Sequence, residues 1–237
     1  MLLIGQRLLA ETAGTPFAGA AQKVIGKLPL LLGEEVSVDP GEISFGLPKV
    51  RGDRRELEVH FDLLSEAIAS QRTVRMKYYA VTRDETLVRE VDPYHLRLEA
   101  GAWYVIGYCH LRRDLRIFAV DRIEELELTG KRFERASSFT IEQYLGLSWG
   151  IESGPLHRVR VAFDPSQSRW IRERIWHEGQ RLTESQDGGV VLEMQVSGLQ
   201  SIKRWILGFG RHAHVLEPPE LVRMVREEAE GMLREGR

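Results

Sequence analysis

Tyr78, Trp103 and Tyr104 offer flat apolar rings, and Arg97, Arg116 and Arg122 offer planar guanidinium groups that grip phosphate through paired hydrogen bonds. With His95 they make up the chemistry by which single-stranded nucleic acids are recognised, in which rings stack on bases and cations follow the backbone. Period two along a strand puts His95 and Arg97 on one face. Arg116 and Arg122 also lie an even number apart and share a face if their strand is unbroken. The same residues fit a plainer arrangement, in which Tyr78 and Trp103 fill a core and the arginines pair with Glu99, Asp114 or Asp121 on a solvated face.

The chain around these residues has 237 positions, enough for one large core or two modest ones. Thirty-three Lys and Arg against 35 Asp and Glu leave a formal charge of −2, so the molecule lacks the field of a protein that coats duplex nucleic acid, and any anion site must be local. A single cysteine, Cys109, excludes an internal disulfide and a cysteine-based zinc cluster, which fits a reducing compartment. Arg7 and Glu11 interrupt the apolar start, and no later stretch is long enough to span a membrane, so the expected location is cytoplasmic.

Leu2, Leu3, Leu8 and Leu9 follow helical spacing, and Thr15 and Pro16 open a second helix marked by Ala20, Val24 and Leu28. These small helices need something else to dock on. Residues 33–55 are rich in Gly, Pro and charge and read as a linker with one strand-like piece at 43–47. A helix over 61–70, marked by Phe61, Leu64 and Ile68, gives way to a strand on which Val74, Met76 and Tyr78 alternate with Arg75, Lys77 and Tyr79. Strands are expected at 87–91, 94–99 and 103–110, the last two joined by a tight turn at Ala100 and Gly101. A fifth follows at 116–120, extending toward 128. A helix and five short strands suit a small closed or nearly closed barrel. From 156 the order changes to βαββαβ, with a helix opened by Asp164, Pro165 and Ser166 and a turn at 187–189, which is the ferredoxin-like arrangement. The expected organisation is α+β: connector helices and linker over 1–55, a barrel over 56–135, a linker over 136–155 and a ferredoxin-like domain over 156–237.

The stretch from Pro93 to Ile123 resembles the signature of WYL domains, sensor modules of many bacterial transcription regulators, with Trp103, Tyr104 and Val105 where the family writes Trp-Tyr-Leu. The strand ending at Tyr78, then Pro93, Gly101, and Arg116, Phe118, Asp121, Arg122 and Ile123 follow the family's order. The match covers roughly residues 60–130, and the segment carrying Trp205, Gly210 and Val215 to Pro218 looks like the extension that follows WYL domains. Val105 in place of Leu keeps an apolar side chain. The resemblance implies an Sm-like five-stranded barrel whose ligand is a single-stranded DNA or RNA or a nucleotide effector. Its binding residues would be Tyr78, His95, Arg97, Trp103, Tyr104, Arg116 and Arg122. It also implies a homodimer formed through the C-terminal domain and duplex-DNA contact only through a winged helix-turn-helix, for which this sequence shows no recognition helix.

Enzymatic readings are weak. Cys109 and His110 are adjacent on a strand and point to opposite faces, so they do not form a nucleophile and base pair. His157, His177, His212 and His214 lack metal-ligand spacing and carboxylate companions, and the Gly208 to Gly210 segment reads as a helix stop. Arg169, Arg172 and Arg174, near Trp170 and Trp176, alternate with Glu173 as on a solvated helix face. No catalysis and no cofactor are expected. The first functional reading is a ligand-sensing regulator portion, and the alternative is an interaction or dimerisation module with no nucleic-acid ligand.

Overall fold

The computed structural model describes residues 54–81 and 83–234. The expected connector helices over 1–32 and the strand at 43–47 lie outside the described residues. The remainder divides into two compact units, the first ending at Ser137 and the second beginning at Ser138.

The first unit opens with helix α1 (Arg54–Ser70), which begins earlier than its apolar stripe suggested because Arg55, Glu56 and Glu58 extend it with good helix formers. Phe61, Leu64 and Ala67 are buried on one side of it. Strands β1 (Arg72–Ala80), β2 (Glu85–Glu99), β3 (Ala102–Cys109), β4 (Asp114–Ala119) and β5 (Ile123–Arg132) form one antiparallel sheet in the order β4-β3-β2-β1-β5. Among the described residues no ladder joins the edge strands β4 and β5, so hydrogen bonding does not close a barrel. The β2–β3 turn is as the sequence indicates, with Ala100 at φ 47° and Gly101 at φ 82°, the pair of left-handed residues that a two-residue hairpin requires.

Two features depart from the expected strands. The pieces at 87–91 and 94–99 are one strand, β2, because Pro93 lies past the last β1 pair, Val74 with Val91, and its missing N–H breaks no bond to β1. A register shift between Pro93 and His95 leaves Tyr94 as an extra residue in the β2–β3 pairing. The strands approach so closely there that a Cβ on Gly107 would stand 2.4 Å from the Asp92 carbonyl oxygen. The expected continuous strand from 116 toward 128 is also broken, since Val120–Arg122 form a turn of 3-10 helix between β4 and β5.

Side chains on the α1-facing side of this sheet make the core: Val74, Met76 and Tyr78 of β1, Val91 of β2, Val105 and Cys109 of β3 and Phe118 of β4, with Leu64, Ala67, Val120 and Ile123. Burying each such aliphatic side chain contributes about 1.5–3 kcal/mol.

In the second unit, after a short helix α2 (Ile141–Leu145) capped by the Thr140 hydroxyl, the chain runs β6 (Leu156–Phe163), α3 (Pro165–Arg172), β7 (Arg181–Glu184), β8 (Val190–Ser197), α4 (Gln200–Leu207) and β9 (Ala213–Glu217). Helix α5 (Pro219–Arg234) follows. The four strands pair antiparallel in the order β7-β8-β6-β9. Alternate residues Val159, Val161 and Phe163 of β6 and Leu192, Met194 and Val196 of β8 pack with Ile171, Ile202, Ile206 and Leu221 of the helices. The residues of opposite parity carry Arg158 and Arg160, which pair with Glu193 and Glu217 at 2.9–3.6 Å.

Asp164 caps α3 by accepting from the Ser166 N–H at 3.0 Å, and also receives the Ser166 hydroxyl at 2.6 Å and His212 Nδ1 at 2.5 Å. These bonds favour the ionised carboxylate and hold its pKa down at about 2, Ser166 being the larger cause and His212 the next. A depressed carboxylate pKa adds stability above the ordinary value of 3.8, and that stability fades as pH falls toward about 2. Asp164→Ala therefore lowers the melting temperature at neutral pH, and the gap from wild type narrows below pH 3.8 in a pH series of thermal melts.

Candidate functional site

Register decides which of the aromatic and basic residues meet. Strand β3 is paired on both sides, with Tyr104 opposite Arg97 of β2 and Ala119 of β4, and Trp103 opposite Leu98. Adjacent residues of a strand point to opposite faces, so Trp103 faces the core and Tyr104 faces away from it. The extra residue at Tyr94 shifts the parity of β2, which takes His95 and Arg97 to the Tyr104 face and Leu96 to the core. The outer face thus collects His95, Arg97 and Tyr104.

The remaining residues of the expected set lie elsewhere. Tyr78 is a buried core ring, its hydroxyl accepting from the Ala119 N–H at 3.3 Å and its ring set edge-on to Phe118 at 5.0 Å. Trp103 packs edge-on against Phe61 of α1 at 4.7 Å, with its Nε1 buried and unpartnered. Arg116 lies opposite Gly107 on the same parity of β4 as Phe118, which puts it at the rim of the core-side face, where it pairs with Asp114 at 3.1 Å. Arg116 and Arg122 do not share a strand face, because the 3-10 turn intervenes.

Arg122, exposed on that turn, has no carboxylate partner among the described residues and acts electrostatically on Tyr104 and Tyr79. Arg97 pairs with Glu99 at 2.9 Å across a surface about one third exposed, a contact worth little in water. Tyr104 is half-buried, and burial pushes its phenol above the usual value, Asp121 adding to the rise and Arg122 opposing it. The half-buried Tyr104 ring thus has Arg97 opposite it on β2 and Arg122 within electrostatic reach.

Two arrangements were not foreseen. Asp92, only 6% exposed, accepts from the Thr73 hydroxyl at 2.7 Å and lies 2.9 Å from His110 Nε2. Arg89, 5% exposed, sits on the core-side parity of β2 opposite Met76, with Nη1 3.9 Å from Cys109 Sγ and its Cζ 5.9 Å from the Phe118 ring centre. The sequence does hold a signal for Arg89: it interrupts the apolar parity of Leu87 and Val91. In the second unit, Arg169 pairs with Glu173, Arg172 with Glu184, and Arg174 stacks over Trp170 and Trp176, so this cluster is internally satisfied. Among the described residues no group of three His, Cys, Asp or Glu is placed to hold a metal, and no helix is long and apolar enough to cross a membrane.

Residues 59–128 match the model of the WYL domain, and residues 155–233 match that of the WCX domain. The chain carries a WYL domain followed by a WCX domain. A relative named Uncharacterized HTH-type transcriptional regulator YobV, from Bacillus subtilis (strain 168), is 27% identical over 168 residues, which is 69% of this chain and 51% of that protein. Protein PafC of Mycobacterium tuberculosis is 28% identical over 233 residues, 98% of this chain and 68% of that protein. The chain therefore spans about half to two thirds of these curated relatives. A solved structure, proteasome accessory factor B/C (PafBC) of Arthrobacter aurescens, aligns over 97% of this chain and 32% of its own with 20% identity and a TM-score of 0.40.

In the WYL domain, the Tyr104 phenol should ionise above the usual value of about 10. The phenolate absorbance lost on Tyr104→Phe will identify its titration. Arg122→Ala will move that titration to higher pH and Asp121→Asn to lower pH, since the cation favours phenolate and the carboxylate opposes it.

Proposed function

We propose that this chain is the ligand-sensing part of a WYL-type transcriptional regulator and that the WYL domain binds a single-stranded nucleic acid or a nucleotide on its Tyr104 face. The observation that carries the proposal is the row Arg97, Tyr104 and Ala119 across three paired strands, with His95 on the same face of β2 as Arg97 and Arg122 within electrostatic reach of the phenol. The name of one relative, a transcriptional regulator of the HTH type, supports a regulatory role.

The architecture supports the same reading. A leading helix, five antiparallel strands in the order β4-β3-β2-β1-β5 and a 3-10 corner before the last strand suit an Sm-like, incompletely closed barrel over 56–135. The order β7-β8-β6-β9, with helices after β6 and β8, suits a ferredoxin-like domain over 156–237. In this account the second domain pairs two subunits. Effector binding changes that pairing, and duplex DNA is contacted through a winged helix-turn-helix rather than through the WYL or WCX domain. Such coupling requires the effector to bind two arrangements of the dimer with different affinity. No covalent step is involved.

The ion pairs favour a second reading. Arg97, Arg116, Arg158 and Arg160 all hold carboxylate partners, as they would on a protein-interaction module with no nucleic-acid ligand. Fluorescence anisotropy of short labelled single-stranded DNA and RNA over a salt series separates the two. The sensing account expects Tyr104→Ala to weaken binding about 5- to 150-fold, the ~1–3 kcal/mol of one stacked base. It also expects each of Arg97→Ala and Arg122→Ala to flatten the logarithmic salt dependence by about 0.7. Absence of salt-sensitive binding by wild type would leave the interaction module.

A further inference from the structure

Arg89 is the only buried lysine or arginine among the described residues. A guanidinium remains charged at any pH the fold survives, and a charge taken out of water is costly unless a counter-charge and hydrogen-bond acceptors meet it. Arg89 is met by neither. Its Nε is buried with no partner, its Nη1 reaches the Cys109 sulfur, a weak acceptor, at 3.9 Å, and its Cζ lies 5.9 Å from the Phe118 ring centre. The carboxylates next to it in sequence are turned away by strand parity and already engaged, Glu90 by Lys131 at 2.7 Å and Asp92 by Thr73 and His110. Met76, Val91 and Cys109 around it are fully buried, so a leucine or methionine in place of Arg89 would suit this environment without the charge.

We propose that Arg89 is the receptor for an oxyanion, a phosphate or carboxylate group, that enters the core-side face of the WYL sheet and supplies the missing counter-charge. Arg116, at the rim of the same face two residues from Phe118, is the outer cation of this site, since its surface pair with Asp114 exchanges readily. The site lies on the opposite face of the sheet from Tyr104 and is separate from the stacking surface there. A guanidinium presents two parallel N–H donors to an oxyanion, which neither the thiol nor the ring can accept, so the anion gains a specific geometry as well as charge.

Thermal melts of the full chain test this with inorganic phosphate, acetate and, at matched ionic strength, chloride. Wild type should gain melting temperature saturably with phosphate or acetate beyond chloride, and Arg116→Ala should shift that saturation to several-fold higher concentration. Arg89→Met should melt above wild type without added anion, because an uncompensated charge has been removed, and should lose the anion response. Arg89→Gln serves as a second neutral variant should Arg89→Met not fold. An Arg89 variant that melts lower than wild type, together with no anion response in wild type, would make Arg89 a packing residue and overturn the proposal. An anion response that survives in Arg89→Gln would overturn it equally. The outcome is independent of the oligonucleotide account: an Arg89-dependent response without single-stranded binding sustains this site alone, and Tyr104-dependent binding without that response sustains only the other.

Discussion

Strand β3 is hydrogen-bonded on both sides, and that double pairing fixes which way every side chain from Ala102 to Cys109 points. A slip of one residue would take Val105 and Cys109 off the α1-facing side and put Tyr104 there, so the fully buried Val105 and Cys109 lock the register. The consequence reaches beyond β3. Trp103 becomes part of the wall beneath α1, Tyr104 becomes the accessible ring, and the basic residues of β2 and β4 are sorted onto one face or the other by their pairing to β3.

That sorting gives the sheet two unlike faces. The outer face holds a half-buried phenol with Arg97 beside it and Arg122 within electrostatic reach, in a setting wet enough that its ion pairs add little to stability. The core-side face holds apolar side chains and one buried guanidinium with no counter-charge. Wet cations beside a ring suit reversible capture of a flexible anionic chain. A buried cation with no carboxylate partner suits a small anion. Both faces therefore carry local positive charge even though the chain as a whole has a formal charge of −2.

Much of this was legible in the sequence. The alternation of Val74, Met76 and Tyr78 marks β1 and its buried face, and Ala100 with Gly101 marks the hairpin that aligns β2 with β3. The βαββαβ order of the second unit follows from Asp164, Pro165 and the glycine-rich turn before β8. Single-residue phase changes were not legible. The extra residue at Tyr94 and the 3-10 turn at Val120–Arg122 each alter parity by an amount that composition does not reveal, the first taking His95 and Arg97 to the Tyr104 face and the second separating Arg116 from Arg122. Arg89 was visible only as a break in an apolar pattern, which became informative once its neighbours on β1, β3 and β4 were known.

On the proposed binding face, β3 presents Tyr104, and not Trp103, to the ligand. Photo-crosslinking of single-stranded DNA carrying a halogenated pyrimidine, followed by peptide mapping, measures this directly. Adducts are expected on Tyr104, reduced by competing unlabelled single strand and absent in Tyr104→Ala. Adducts on Trp103 or Tyr78 in a chain that remains folded, or adducts confined to residues 156–234, would contradict it.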